Sequence, residues 1–165
     1  MVWRPNVTVA AVVERDGRFL LVEEETSNGL QLNQPAGHLE PDESIATAVQ
    51  REVLEETAYD FSPEQITGIY RWTKPDSDLT YLRFTFAGRL GQHYPDRSLD
   101  AGIVRALWMS REEVLDSVAR HRTPLVVRCM EDYLSGKRYA IDALIDCGEQ
   151  NLSARSGNTG NGGKL

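Results

Sequence analysis

An α+β fold, with helices packed on a mixed sheet, is predicted by three observations. Short β-branched and apolar runs recur between turn residues, which is the pattern of strands. Two segments carry helix-start signals, and a third pairs an N-cap serine with helical spacing of apolar residues. The order of these elements interleaves strands with helices, so the helices must cover a sheet. The chain has 165 residues, 41% hydrophobic and 26% charged, enough to bury a core as one domain.

Residues 6–14 and 18–23 are apolar runs separated by Asp16-Gly17, which predicts a hairpin. Leu30 begins a short extended piece to Gln34, and Pro35, Ala36 and Gly37 open a loop. Ser44 is placed to cap a helix over Ile45–Thr57. Strands are expected over 66–72, 81–90 and 103–108; in the second, Tyr81, Arg83 and Thr85 alternate with Leu82, Phe84 and Phe86. Ser110 and Glu113 form a capping box for a helix to about residue 119. Thr123 and Pro124 read as N-cap and first helical residue of a helix to Ser135, with Gly136 as its stop. Residues 1–147 make up the domain; 148–165, with five glycines and no aromatic residue, are expected to be a disordered tail.

Charge is unevenly placed. The net charge is −7, yet residues 37–64 hold eight of the 25 acids and one base, Arg51, so the rest of the chain is balanced. No apolar run approaches the ~20 residues of a membrane span. The first residues lack the apolar run of a secretory signal, and the two cysteines form no CxxC, so a cytoplasmic location is expected. The acidic balance argues against a general nucleic-acid grip. A small phosphorylated substrate is the expected partner, with the chain acting as a monomer or homodimer.

On a helical wheel, Ala48, Val49 and Val53 fall within about 80° of Ile45 and define an apolar face. Glu52 and Glu56 lie within about 20° of Ile45 on that same face, with Glu55 at its edge. Carboxylates on the dry side of a helix are costly unless a cation holds them ionised. Closely spaced hard oxygen ligands suit Mg²⁺ or Mn²⁺. The simpler alternative is a solvated acidic face in which Arg51 pairs with Glu55 at i,i+4.

Gly37, five residues, Glu43, seven residues and then Arg51-Glu52-Val53-Leu54-Glu55-Glu56-Thr57-Ala58-Tyr59 resembles the Nudix box, the signature of Nudix hydrolases. Two positions depart from it: Ala58 stands where glycine is usual past the helix, and Tyr59 where an aliphatic residue is usual. The resemblance extends over about residues 7–144 and implies the Nudix fold, a mixed sheet sandwiched between helices. Asn33–Glu40 (NQPAGHLE), Arg71-Trp72 with Lys74-Pro75, Leu82–Phe84 (LRF), TPLV at 123–126 and YLSGKRY at 133–139 further resemble the phosphatase NudJ subgroup. That likeness implies release of orthophosphate from nucleoside di- and triphosphates, and from thiamine pyrophosphate or hydroxymethylpyrimidine pyrophosphate. A nucleotide or RNA 5′-end pyrophosphohydrolase is the alternative enzyme. A non-catalytic nucleotide-sensing module ranks below both, because the box keeps all its glutamates.

From the resemblance, Glu52 and Glu56 are expected to hold the metal, with the Gly37 carbonyl as a further ligand. Glu55 is expected to bind a second metal or help deprotonate the attacking water. Arg51, with Glu43 as partner, would orient the carboxylates. A further acid common in relatives falls in register at Gly102, which has no side chain to offer, so either Asp100 nearby or a water is expected to substitute. Arg83, Arg122, Arg128 and Arg138 are candidates to clamp phosphates, although each alone reads as a surface arginine. Arg122 stands out because it borders a helix start. Trp72 is placed to stack on a pyrimidine ring, whereas Trp3 and Trp108 read as core. His38 and Cys129 are read as structural residues.

Overall fold

The computed structural model describes residues 2–147; the expected tail at 148–165 lies outside the described residues. Nine strands and three α-helices run β1 (Asn6–Val12), β2 (Glu14–Arg15), β3 (Arg18–Thr26), β4 (Gly29–Asn33), β5 (Ala36–His38), α1 (Ile45–Thr57), β6 (Tyr59–Thr73), β7 (Thr80–His93), β8 (Ile103–Ser110), α2 (Arg111–Asp116), α3 (Leu125–Leu134) and β9 (Tyr139–Ala140) among the described residues. One sheet has the order β5-β1-β7-β6-β9, with β1 parallel to β7 and its other pairs antiparallel. The second is built on β3, which pairs antiparallel with β2, β4 and β8.

The first sheet is covered on both faces, which explains why β1 reads as an unbroken apolar run rather than an alternation. Val9, Ala11 and Val13 pack with Ala48, Val49 and Val53 of α1, and with Phe61, Ile66 and Phe86. Val12, pointing the other way, joins Val126, Cys129 and Met130 of α3. Strand alternation thus divides the core into two layers. On β7, the polar residues Arg83 and Thr85 are also buried, because α3 covers the face that period-two reading leaves to solvent.

Three local expectations are corrected. The Asp16-Gly17 turn, with φ of 52° and 74°, joins only the short β2 to β3; the body of β1 crosses to the other sheet and pairs with β5 and β7. A two-residue turn dictates the pairing beside it and nothing farther along the chain. The stretch read as a loop at Pro35–Gly37 contributes β5, because the edge of β1 offers it a ladder. The last helix begins at Leu125, one position later than expected, while the Thr123 hydroxyl still accepts from the Leu125 N–H at 3.2 Å.

Helix α1 has the expected bounds. Ser44 Oγ accepts from the Thr47 N–H at 3.0 Å, and the helix ends on Ala58 at φ 57°, ψ 23°. A side chain in this left-handed conformation costs about 1–2 kcal/mol. Ala58→Gly is therefore expected to stabilise the fold by about 0.5–1 kcal/mol, after subtracting the extra freedom glycine gives the unfolded chain. A rise in the urea midpoint at unchanged m-value checks this. Trp3, expected in the core, is 62% exposed. No helix among the described residues is long and apolar enough to cross a membrane.

Candidate active site

Helix α1 packs on β1 and β5 through the face that carries the acids. Glu52 and Glu56 are buried there, at 7% and 8% exposure, and Glu55 sits half-buried at the edge, as the wheel predicts. Glu56 Oε2 accepts from the Ala36 N–H of β5 at 2.9 Å. Burial pushes the Glu56 carboxyl up to about 8, against the pull of that N–H; the charges of Glu52, Glu24 and Asp100 push the same way. Burial raises Glu52 too, with Arg51 opposing it.

Gly37 lies against Glu52 so closely that a Cβ built there would overlap its carboxylate. Because the overlapped atoms end a flexible side chain, Gly37→Ala is expected to swing Glu52 aside rather than unfold the protein. Turnover should fall by about 100-fold with stability changed by less than about 1 kcal/mol. Paired kinetics and urea unfolding test this; full activity would remove the requirement for glycine.

Arg51 organises the acids. Its guanidinium donates to both Glu43 oxygens at 3.0 and 2.8 Å, to Glu52 at 2.8 Å, to Glu55 at 3.1 Å and to the His38 carbonyl at 3.0 Å. The fork holds Glu43 below the usual carboxylate range, and Arg51 is in turn held more firmly protonated, chiefly by Glu43. The i,i+4 pair and the organising role therefore coexist. Among the described residues, no three His, Cys, Asp or Glu side chains are grouped so as to hold a metal ion by themselves.

Ala36 and Gly37 also line a cleft of about 240 Å³ that runs between the two sheets, and three of the five substrate-contact candidates, Arg83, Arg122 and Trp72, lie on its wall. Arg83 comes from β7 and is 6% exposed. Arg122 enters from the segment before α3, fixed by its backbone N–H on the Leu32 carbonyl at 2.9 Å, and its side chain pairs with Glu24 at 2.5 Å. Trp72 stacks on Tyr81 with ring centroids 5.8 Å apart.

Other candidates stand apart. Arg128 pairs with Asp132 within α3, and Arg138 lies over the Tyr133 ring at 4.0 Å; neither lines the cleft. Asp100 is exposed, and its backbone N–H donates to the Glu55 carbonyl at 2.9 Å, which brings its charge near α1. Gly102 holds φ of 90°, a conformation that disfavours an acidic side chain at that position. His38 lines the cleft, and Cys129 is fully buried. Sequence reading missed Glu24, Asn33 and Lys74 on the cleft wall. The alternation Leu20, Val22, Glu24 along β3 was the available signal for the first of these.

The NUDIX domain profile matches residues 2–128. Relatives named Phosphatase NudJ from Escherichia coli (strain K12) and Shigella flexneri are each 43% identical over 145 residues, covering 87% of this chain and 93% of their own. A solved NUDIX hydrolase from Nitrosomonas europaea is 58% identical with a TM-score of 0.85, covering 87% of this chain and 97% of its own. By this match over most of its length, the chain belongs to the Nudix family and is a phosphohydrolase.

Proposed function

We propose that the protein hydrolyses the phosphoanhydride bond of small di- and triphosphates with Mg²⁺ or Mn²⁺, releasing orthophosphate. Nucleoside di- and triphosphates and the pyrophosphates of thiamine or hydroxymethylpyrimidine are the proposed substrates. The observation that carries this reading is the buried Glu52–Glu56 face of α1, set against β5 at a cleft that also holds a buried arginine. The name of the curated relatives supports orthophosphate as product.

The donor chemistry fits a hard divalent cation: two buried carboxylates, Glu52 and Glu56, both raised chiefly by burial, beside a glycine whose missing side chain leaves room. Glu52, Glu55 and Glu56 would hold it with a backbone carbonyl of the Ala36–Gly37 edge. Flanking bonds from Ala11 N–H to Pro35 and from Leu39 N–H to Val7 make Val9 and Gly37 the hydrogen-bonded pair of the ladder. That engages the Gly37 carbonyl with β1, while the Ala36 backbone turns toward Glu56, so we add the Ala36 carbonyl to the donor set. When bound, such a cation offsets diphosphate charge and makes a water acidic enough to ionise near neutral pH. Arg51 keeps the acids oriented, Glu43 anchors Arg51, and Glu55 is the acid most open to accept a proton. Asp100 adds negative charge at the rim. Arg122 and Lys74 bring positive charge to the cleft for the phosphates.

A panel of di- and triphosphates with Mg²⁺, assayed separately for orthophosphate and pyrophosphate, tests this. Orthophosphate from a nucleoside triphosphate is expected; pyrophosphate alone would replace the reading with a pyrophosphohydrolase.

A further inference from the structure

Buried polar atoms are nearly always hydrogen-bonded, so the exceptions point to ligands. Among the described residues seven buried side-chain polar atoms lack a partner, and five of them belong to four residues on the wall of this cleft: Thr8 Oγ1, Glu24 Oε1, Asn33 Oδ1, and Nε and Nη1 of Arg83. Their chemistry is mixed. Arg83 offers donors and makes no ion pair among the described residues, whereas Glu24 and Asn33 offer acceptors. The second Glu24 oxygen is already held by Arg122, and the Asn33 amide lies beside the same carboxylate.

A fully ionised phosphate would satisfy Arg83 but has no donor for Glu24 or Asn33, and it would set two anions side by side. The unmet group set calls for a ligand edge with an acceptor for the guanidinium and two donors for the two oxygens. An exocyclic amino group supplies two N–H donors, and a ring nitrogen next to it supplies the acceptor. An oxo/N–H edge, as in uracil or hypoxanthine, supplies one donor only.

The geometry points to recognition of an amino-substituted heterocycle: Glu24 and Asn33 accept from the amino group, Arg83 donates to the ring nitrogen, and the ring lies against Trp72. This inference deepens the proposed function and rests on it. Cytidine and adenosine phosphates and aminopyrimidine diphosphates form the preferred class, and Arg83 is assigned to the ring rather than to a phosphate. Glu24 and Asn33 thereby act as specificity residues and stand outside the hydrolytic chemistry.

Calorimetric titration of the full chain with CMP against UMP, and AMP against IMP, without added metal, tests the edge alone, since each pair differs only in an amino group beside an acceptor ring nitrogen against an oxo group beside a ring N–H. The amino member of each pair is expected to bind at least about tenfold more tightly. Glu24→Ala should bring both ratios close to one while the urea midpoint stays within the scatter of the wild type. If that variant fails to fold, Asn33→Ala must lower the ratios instead. Equal or reversed affinities, ratios unmoved by either substitution, or no binding at millimolar ligand would each overturn the inference. The hydrolase reading fails separately, through absence of phosphate release from every member of the panel.

Discussion

Glu56→Gln is expected to lower turnover at least about a thousandfold without loss of folded protein. The amide keeps the shape of the carboxyl, and its oxygen can still accept the Ala36 N–H now held at 2.9 Å. It removes the negative charge that a divalent cation needs, which is the kind of defect that acts on the transition state. The same change relieves a buried charge. Glu56 stands at about 8 in the folded protein against an ordinary 4.5, so between those pH values the folded chain holds a proton that the unfolded chain has released. Stability from this group is therefore complete below about 4.5 and is lost as pH rises toward about 8. At ~1.4 kcal/mol for each pH step between the two values, the loss amounts to a few kcal/mol in metal-free protein. The Gln variant should lack that slope and match or exceed wild-type stability at pH 8. Urea midpoints of both proteins in chelator at pH 5 to 8, alongside turnover with saturating Mg²⁺, measure the two effects. Parallel pH slopes would show that Glu56 is not the group responsible, and retained turnover would remove it from the catalytic set.

The second large effect is expected at Arg51. Its five hydrogen bonds tie Glu43, Glu52, Glu55 and the His38 carbonyl into one cluster, with its own side chain 21% exposed. Arg51→Met leaves three acids facing one another without the cation, and breaking such a partly buried network costs about 3–5 kcal/mol. Arg51→Lys restores charge but not the planar fork that spans both Glu43 oxygens, so it should recover less than half of the loss. Turnover is expected to fall about 100-fold in the Met variant, because Glu52 and Glu55 lose their orientation. Added Mg²⁺ should return part of the lost stability by taking over the acids. Urea unfolding of wild type, Arg51→Met, Glu43→Gln and the double variant gives the coupling directly. A coupling near zero would mean that the fork is a surface ornament.

The legibility of this chain in its sequence follows the range of the forces involved. Helix α1 can be bounded to the residue because its start depends on Ser44 and its end on a chain turn at Ala58, both local. The acids are legible because their spacing matches both the wheel and the box. The pairing of strand β1 is not, since an Asp-Gly turn reports on its immediate neighbours while β5 and β7 are distant in sequence. Arg83 can be nominated but not distinguished from Arg128 and Arg138. Only packing by α3 shows that the first is buried, while Arg128 pairs with Asp132 at the surface and Arg138 lies half-buried over the Tyr133 ring. Glu24 is hidden inside the run Glu23–Glu25, where three adjacent acids look like solvated charge. Asn33 is a single amide whose unmet oxygen exists only once the two sheets face each other.

The cleft draws its two sides from different parts of the chain. Ala36, Gly37 and His38 line it from β5, the edge of the first sheet on which α1 packs its acids, while Thr26, Ser27, Asn28 and Gln31 line it from the exposed β3–β4 turn of the second. Mutational drift in that turn can alter which compounds enter without disturbing the hydrolytic apparatus. A directed library confined to positions 26–31 is thus a route to new selectivities on an unchanged reaction, and the fold is built to evolve by exchanging its gatepost while keeping its blade.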